Sequence, residues 1–202
     1  GRAIETPILV ALNEIGTQQA APTKNTNKAA TWLMDFLAWH PDGKVRYYAG
    51  NMQLAVDSDA AYLVAPGAKS CYAGHFYLES RPNKNNYNKT PHYAAIHTEC
   101  KLLKNIVCLA AEAECGGLFQ NAQIALGIRR TLESIGHPQQ PTRIKTGNST
   151  ANSFVHASMR IKRSKTWDMR YHWLREKAVR NILRIFWDKG TNNDGDYFPK
   201  NH

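Results

Sequence analysis

Three carboxylates in this chain have the residue type and surroundings for chemistry. Glu114 is the one that local logic leaves unexplained. Ala111 precedes it by three residues and Leu118 follows by four, so a helix would put this carboxylate on the stripe that otherwise faces the core. A buried carboxylate is costly unless it pairs with a cation, takes up a proton or sits at the rim of a cleft, and a rim glutamate paired with a lysine is the plainest of these. Glu112 points away from that stripe and is expected in solvent. Asp59 follows a strand pattern, and Asp196 lies in the loop-like run Asn192-Asn193-Asp194-Gly195-Asp196. Either one alone reads as a turn residue. Taken together, they are the oxygen donors that a hard divalent cation such as Mg²⁺ takes from separate elements, and phosphodiester hydrolysis commonly uses two such ions.

Phosphate has a reason to be nearby. The net charge is +10, and from Arg160 to Lys189 ten basic residues, among them Arg160, Lys162, Arg163, Lys165 and Arg170, face only three acids. Such a concentrated positive field favours phosphate backbones, the alternative being a solvated helix face. The eight histidines and four cysteines show no ligand spacing for zinc and no C-x-x-C pair, so the cysteines are expected as reduced thiols.

The elements that must position these groups follow from periodicity. With 202 residues, 43% of them hydrophobic, the chain is long enough to bury a core. No run approaches the roughly 18 to 20 apolar residues of a membrane span, and the start lacks a signal-peptide pattern. The chain therefore reads as soluble, not secreted and without a membrane role. It begins at Gly1 rather than methionine, as expected of a fragment of a longer chain. Helical spacing covers residues 8–19 and 29–39, with Thr26 or Asn27 as the second cap. A strand from Met52 leads into Asp59, a second runs from Ser70 to Glu79, and a third from about His92 to Leu102 follows the turn-rich run 81–90. Ala110 to Ile135 is helical, with a break expected near Gly127. Next come a strand at Thr142–Thr146, helices at Ser149–Ala157 and Thr166–Arg180, and a strand at Ile182–Trp187. Trp167, Tyr171, Leu174 and Ala178 fall at core spacing in the last helix, and His172 within it reads as structural. The order predicts an α/β fold in which three antiparallel strands join a parallel half, giving a mixed five-stranded sheet flanked by helices, with a small N-terminal helical appendage.

Five stretches carry a resemblance. Asp59-Ala60-Ala61-Tyr62-Leu63 looks like "SDASYL", Ala110-Ala111-Glu112-Ala113-Glu114 like "AAEAE", and Thr146-Gly147-Asn148-Ser149-Thr150-Ala151 like "TDNSTA". Arg163 to His172 is similar to "R-TKHIDIRYH", and Asn193 to Lys200 to "NPADYFTK". In that order they resemble the ribonuclease H domain of copia-type retrotransposon Pol polyproteins, and Ala11 to Thr23 resembles the end of the preceding reverse transcriptase. The resemblance implies a ribonuclease H-like fold over 51–202, with 1–50 as the end of the reverse transcriptase or connection segment. It also implies cleavage of the RNA strand of RNA–DNA hybrids with Mg²⁺ or Mn²⁺, and Asp59, Glu114 and Asp196 as catalytic metal ligands. The third family aspartate falls at Gly147, which has no side-chain oxygen. Asn148 beside it should point to the other face, and Pro199 stands where the family often has threonine. A weakened second ion and an impaired copy are therefore expected, the alternative being a non-catalytic nucleic-acid-binding domain of the same fold. Arg160, Lys162, Arg163, Lys165 and Arg170 are the implied contacts to hybrid or duplex. The rest of the polyprotein is the implied partner, and the setting is intracellular, in a cytoplasmic particle or the nucleus.

Overall fold

Alternation of apolar residues builds the centre of the molecule, seen in a computed structural model that describes residues 8–65, 67–80, 94–104, 107–156, 168–189 and 192–197. Strands β1 (Gln53–Ala65), β2 (Lys69–Glu79) and β3 (Ala95–Leu102) form an antiparallel meander. Helix α3 (Ala110–Ser134) then crosses over, and β4 (Thr142–Thr146) returns parallel to β1. Helices α4 (Ser149–Val155) and α5 (Asp168–Val179) lead to β5 (Leu183–Trp187), parallel to β4. The strand order is β3-β2-β1-β4-β5, the mixed five-stranded sheet that the sequence predicts.

The core lies on one sheet face. Leu54, Val56, Phe76, Ile144, Leu183 and Ile185 pack against Leu118, Ala122 and Ala125 of α3, Val155 of α4 and Leu174 of α5. Alternation puts Ala55, Asp57 and Asp59 on the opposite face, where they are also buried. Two ion pairs bridge strands there: Arg143 with Glu79 at 2.7 Å, and Lys145 with Asp57 at 3.0 Å. Tyr171 and Leu174 are buried as expected, while Trp167 lies outside the described residues.

Helices α1 (Leu9–Thr17) and α2 (Lys24–Trp39) precede the sheet, and Asn13 Nδ2 of α1 donates to the Cys100 carbonyl of β3 at 3.2 Å. The boundary expected near residue 50 falls in a stretch without helix or strand. Helix α2 starts earlier than its apolar spacing suggests, because Thr23 caps it in a box with Thr26. Helix α3 is unbroken at Gly127. That glycine faces solvent, and burial of Ala125 and Leu132 on either side outweighs its cost of roughly 1 kcal/mol. Strand β1 does not stop at Asp59 but runs six residues further, to Ala65. The run 81–90 lies outside the described residues, and β3 begins at Ala95 rather than near His92.

Candidate active site

Glu114 reaches the sheet because α3 comes unusually close to it one turn later. A Cβ on Gly117 would stand 3.1 Å from the Tyr72 Cβ and 3.4 Å from the Ala60 Cβ, so only glycine permits this approach without a shift. The Glu114 carboxylate, 7% exposed, accepts a hydrogen bond from the Ala60 backbone, and Thr146 Oγ1 stands 3.5 Å from its Oε2. Its pKa is pushed up from 4.5 to about 8, first by burial and then by the charge of Asp59. Asp196 adds to the rise, while the bonds from Ala60 and Thr146 oppose it. The stripe argument is thus correct that Glu114 is a buried acid, and the groups acting on it are carboxylates rather than a lysine. Glu112 is not left to solvent: its Oε2 accepts from the Cys108 backbone N–H ahead of α3.

Asp59, 4% exposed, lies within β1, not after it. Asp196 sits on a 3₁₀ turn (Asp194–Tyr197) whose loop is fastened to β1, since Asn193 Nδ2 donates to the Ser58 carbonyl at 3.0 Å. Gly147 follows β4 directly, beside Asp59. A Cβ placed there would lie 3.4 Å from Asp59 Oδ1 and 3.8 Å from Asn193 Nδ2, at ordinary contact distance, so position 147 faces Asp59. Asn148 cannot stand in for the missing carboxylate because it is the N-cap of α4, its Oδ1 accepting from the Ala151 N–H at 3.0 Å. Asn148→Ala should therefore cost about 1 kcal/mol of stability without changing the charge of the site, measurable as a lower denaturant midpoint at an unchanged slope.

The donor chemistry, all oxygen, suits a hard divalent cation, but the set is short. Among the described residues no three His, Cys, Asp or Glu side chains are gathered so as to hold a metal ion. The residues present do not by themselves make a cation cage, and Gly147, facing Asp59, adds no side-chain oxygen.

Arg160, Lys162, Arg163 and Lys165 lie outside the described residues, as does Pro199. Arg170 is described, and its guanidinium lies over the Phe119 ring at 5.7 Å. His172 is exposed on α5, and all four cysteines are free thiols. Asp57 was missed by sequence reasoning. It shares the face of Asp59 and takes the Tyr77 hydroxyl at 3.2 Å, Lys145 Nζ at 3.0 Å and the Asp194 N–H at 3.1 Å. Its spacing of two from Asp59 is the one local sign of this.

No family model matches the chain. Its sequence is 25% identical over 123 residues to the retrovirus-related Pol polyprotein from transposon TNT 1-94 of Nicotiana tabacum, a match covering 61% of this chain and 9% of that protein. The chain therefore spans about a tenth of that relative's length. The structure of a foamy viral protease-reverse transcriptase dRH, in complex with double-stranded DNA, superposes with a TM-score of 0.51 at 12% identity, covering 93% of this chain and 29% of that one. The N-terminal ribonuclease H domain of a Mycobacterium tuberculosis protein gives a TM-score of 0.47 at 11% identity, covering 73% and 91% respectively. No helix among the described residues is long and apolar enough to cross a membrane. With this strand order and the superposition at a TM-score of 0.51, the chain has a ribonuclease H-like fold, and its sequence is similar to part of a retrotransposon Pol polyprotein.

Proposed function

We propose that this chain is the ribonuclease H domain of a copia-type element, built to cut the RNA strand of RNA–DNA hybrids and impaired in this copy at Gly147. The observation that supports this best is that a Cβ at Gly147 would stand 3.4 Å from Asp59 Oδ1, while the charge of Asp59, after burial, raises the pKa of the buried Glu114 carboxyl. Asp59, Glu114 and Asp196 are the proposed catalytic carboxylates. Mg²⁺ or Mn²⁺ is the proposed cofactor, and in such a site it would activate the attacking water and stabilise the leaving oxygen. The chain's own part would be to supply oxygen donors from β1, α3 and the 192–197 loop, and position 147 after β4 supplies none. The remainder of the polyprotein, its reverse transcriptase included, is the proposed partner, in an intracellular particle.

A second reading, a non-catalytic nucleic-acid-binding domain, is favoured by the incomplete donor set. Both readings put hybrid or duplex on the basic segment, which can address phosphates but offers no evident base-reading element. Affinity should be nearly independent of sequence and should fall with salt, at a slope of log K against log salt of about −4 to −5 if roughly four to six phosphates are contacted. Replacing Arg160, Lys162, Arg163 and Lys165 together should weaken all sequences alike. Fluorescence anisotropy across a salt series checks this, and salt-insensitive binding would refute it. A hybrid-cleavage assay in Mg²⁺ and in Mn²⁺ separates the readings: slow carboxylate-dependent cleavage supports the impaired nuclease, binding without cleavage the second.

A further inference from the structure

Asp196 stands on a loop that follows β5 and belongs to no strand. A buried ion pair that takes no part in the proposed chemistry holds this loop down. Asp57 is 1% exposed, and its Oδ2 accepts both from Lys145 Nζ at 3.0 Å and from the Asp194 N–H at 3.1 Å. Lys145 Nζ in turn donates to the Asn192 carbonyl at 2.6 Å. The two charges therefore grip the loop at two points, residues 192 and 194. Between them Asn193, 5% exposed, donates from Nδ2 to the Ser58 carbonyl at 3.0 Å and accepts at Oδ1 from the Gly195 N–H at 3.1 Å. Gly195 completes the contact, since a Cβ there would stand 2.7 Å from the Asp57 carbonyl oxygen. Three consecutive loop residues, 192 to 194, are thus bonded to Lys145, Ser58 and Asp57, and Gly195 packs against Asp57.

A buried ion pair contributes little net stability, because desolvation of both charges offsets their attraction. Its effect here is directional: charge-assisted hydrogen bonds are shorter and stronger than neutral ones, and these point at the loop backbone. We propose that the Asp57–Lys145 pair, with Asn193, is a positioning clamp that sets where the Asp196 carboxylate stands relative to Glu114 and Asp59. The purpose of the clamp rests on the nuclease reading; its existence does not.

The test uses the full chain, native and carrying Gly147→Asp, and compares each with Asp57→Leu/Lys145→Met, which removes both charges together so that neither is left buried alone. Asn193→Ala is the second variant and carries the test if the first does not fold. Amide exchange in residues 192–196 should accelerate about tenfold or more while exchange in α3 stays unchanged. In an active Gly147→Asp background, kcat for hybrid cleavage should fall by about a hundredfold with KM for the hybrid nearly unchanged, as expected of a misplaced group that does not bind substrate. Unchanged exchange in both variants overturns the clamp. Faster exchange with kcat intact, or a rise in KM alone, overturns positioning. If no Gly147→Asp chain cleaves hybrid, the impairment extends beyond Gly147, and the exchange data alone decide whether the pair holds the loop.

Discussion

Gly147→Asp should make hybrid cleavage appear, or rise by at least about a hundredfold, the scale on which single preorganised charge-stabilising groups act. The backbone at that point is already held: the Gly147 carbonyl accepts from Trp187 Nε1 at 3.1 Å, and the Thr146 carbonyl from the Asp188 N–H at 3.2 Å. The new Cβ meets nothing closer than Asp59 Oδ1 at 3.4 Å, so the added carboxylate enters beside Asp59. The gain should vanish when Glu114→Gln is added, since the remaining donors cannot act alone. Cleavage that survives Glu114→Gln would come from a contaminating nuclease, and normal cleavage by the native chain would mean that Gly147 is no lesion. A variant that folds and binds hybrid but stays inactive would show that the site has decayed further, with Pro199 the next position to restore.

Glu114→Gln should stabilise the metal-free protein at alkaline pH and leave it unchanged in acid. The Glu114 carboxyl has a pKa of about 8 in the folded chain against 4.5 as a free group. Between those values the folded state holds a proton that the unfolded state has released, so stability falls as pH rises through the window. Below about pH 4.5 both states are protonated and the penalty is absent; above about pH 8 it is complete. A shift of this size corresponds to a few kcal/mol, and relaxation and water entry reduce it to roughly 2 to 4 kcal/mol. For a chain of this length the variant should melt at least about 5 °C higher at pH 8.5, with the gap closing by pH 4.5. Melting curves across that range in chelator decide it, and a gap independent of pH would mean that Glu114 is already ionised in neutral solution.

Much of this arrangement is legible in the chain because local patterns and tertiary packing agree. Alternation in β1 and threefold to fourfold spacing in α3 already place Glu114 on a buried stripe, and the structure buries it. The misses have physical causes. Ala60-Ala61-Tyr62-Leu63 carries no polar alternation, so nothing local says that β1 continues to Ala65. Gly127 breaks a propensity but not a helix, because packing on either side decides. Asp57 reads as the polar half of an alternating strand and hence as a solvent-facing group. Its burial depends on Lys145 and Asp194, partners 88 and 137 residues away, which no window along the chain can include. Arg143 and Glu79 pair across β1 at a separation of 64 residues for the same reason.

The two glycines of this site differ in what inheritance could do with them. Glycine and aspartate codons differ by a single transition at the second base whenever the third is a pyrimidine. At Gly147 an added Cβ would meet nothing closer than 3.4 Å, so the change requires no shift of the backbone there. At Gly195 the same transition would drive a Cβ to within 2.7 Å of a backbone oxygen. Where the third base is a pyrimidine, a lineage carrying this copy would stand one base from the proposed carboxylate set at the first glycine, while at the second the same base change would disturb the loop that carries Asp196.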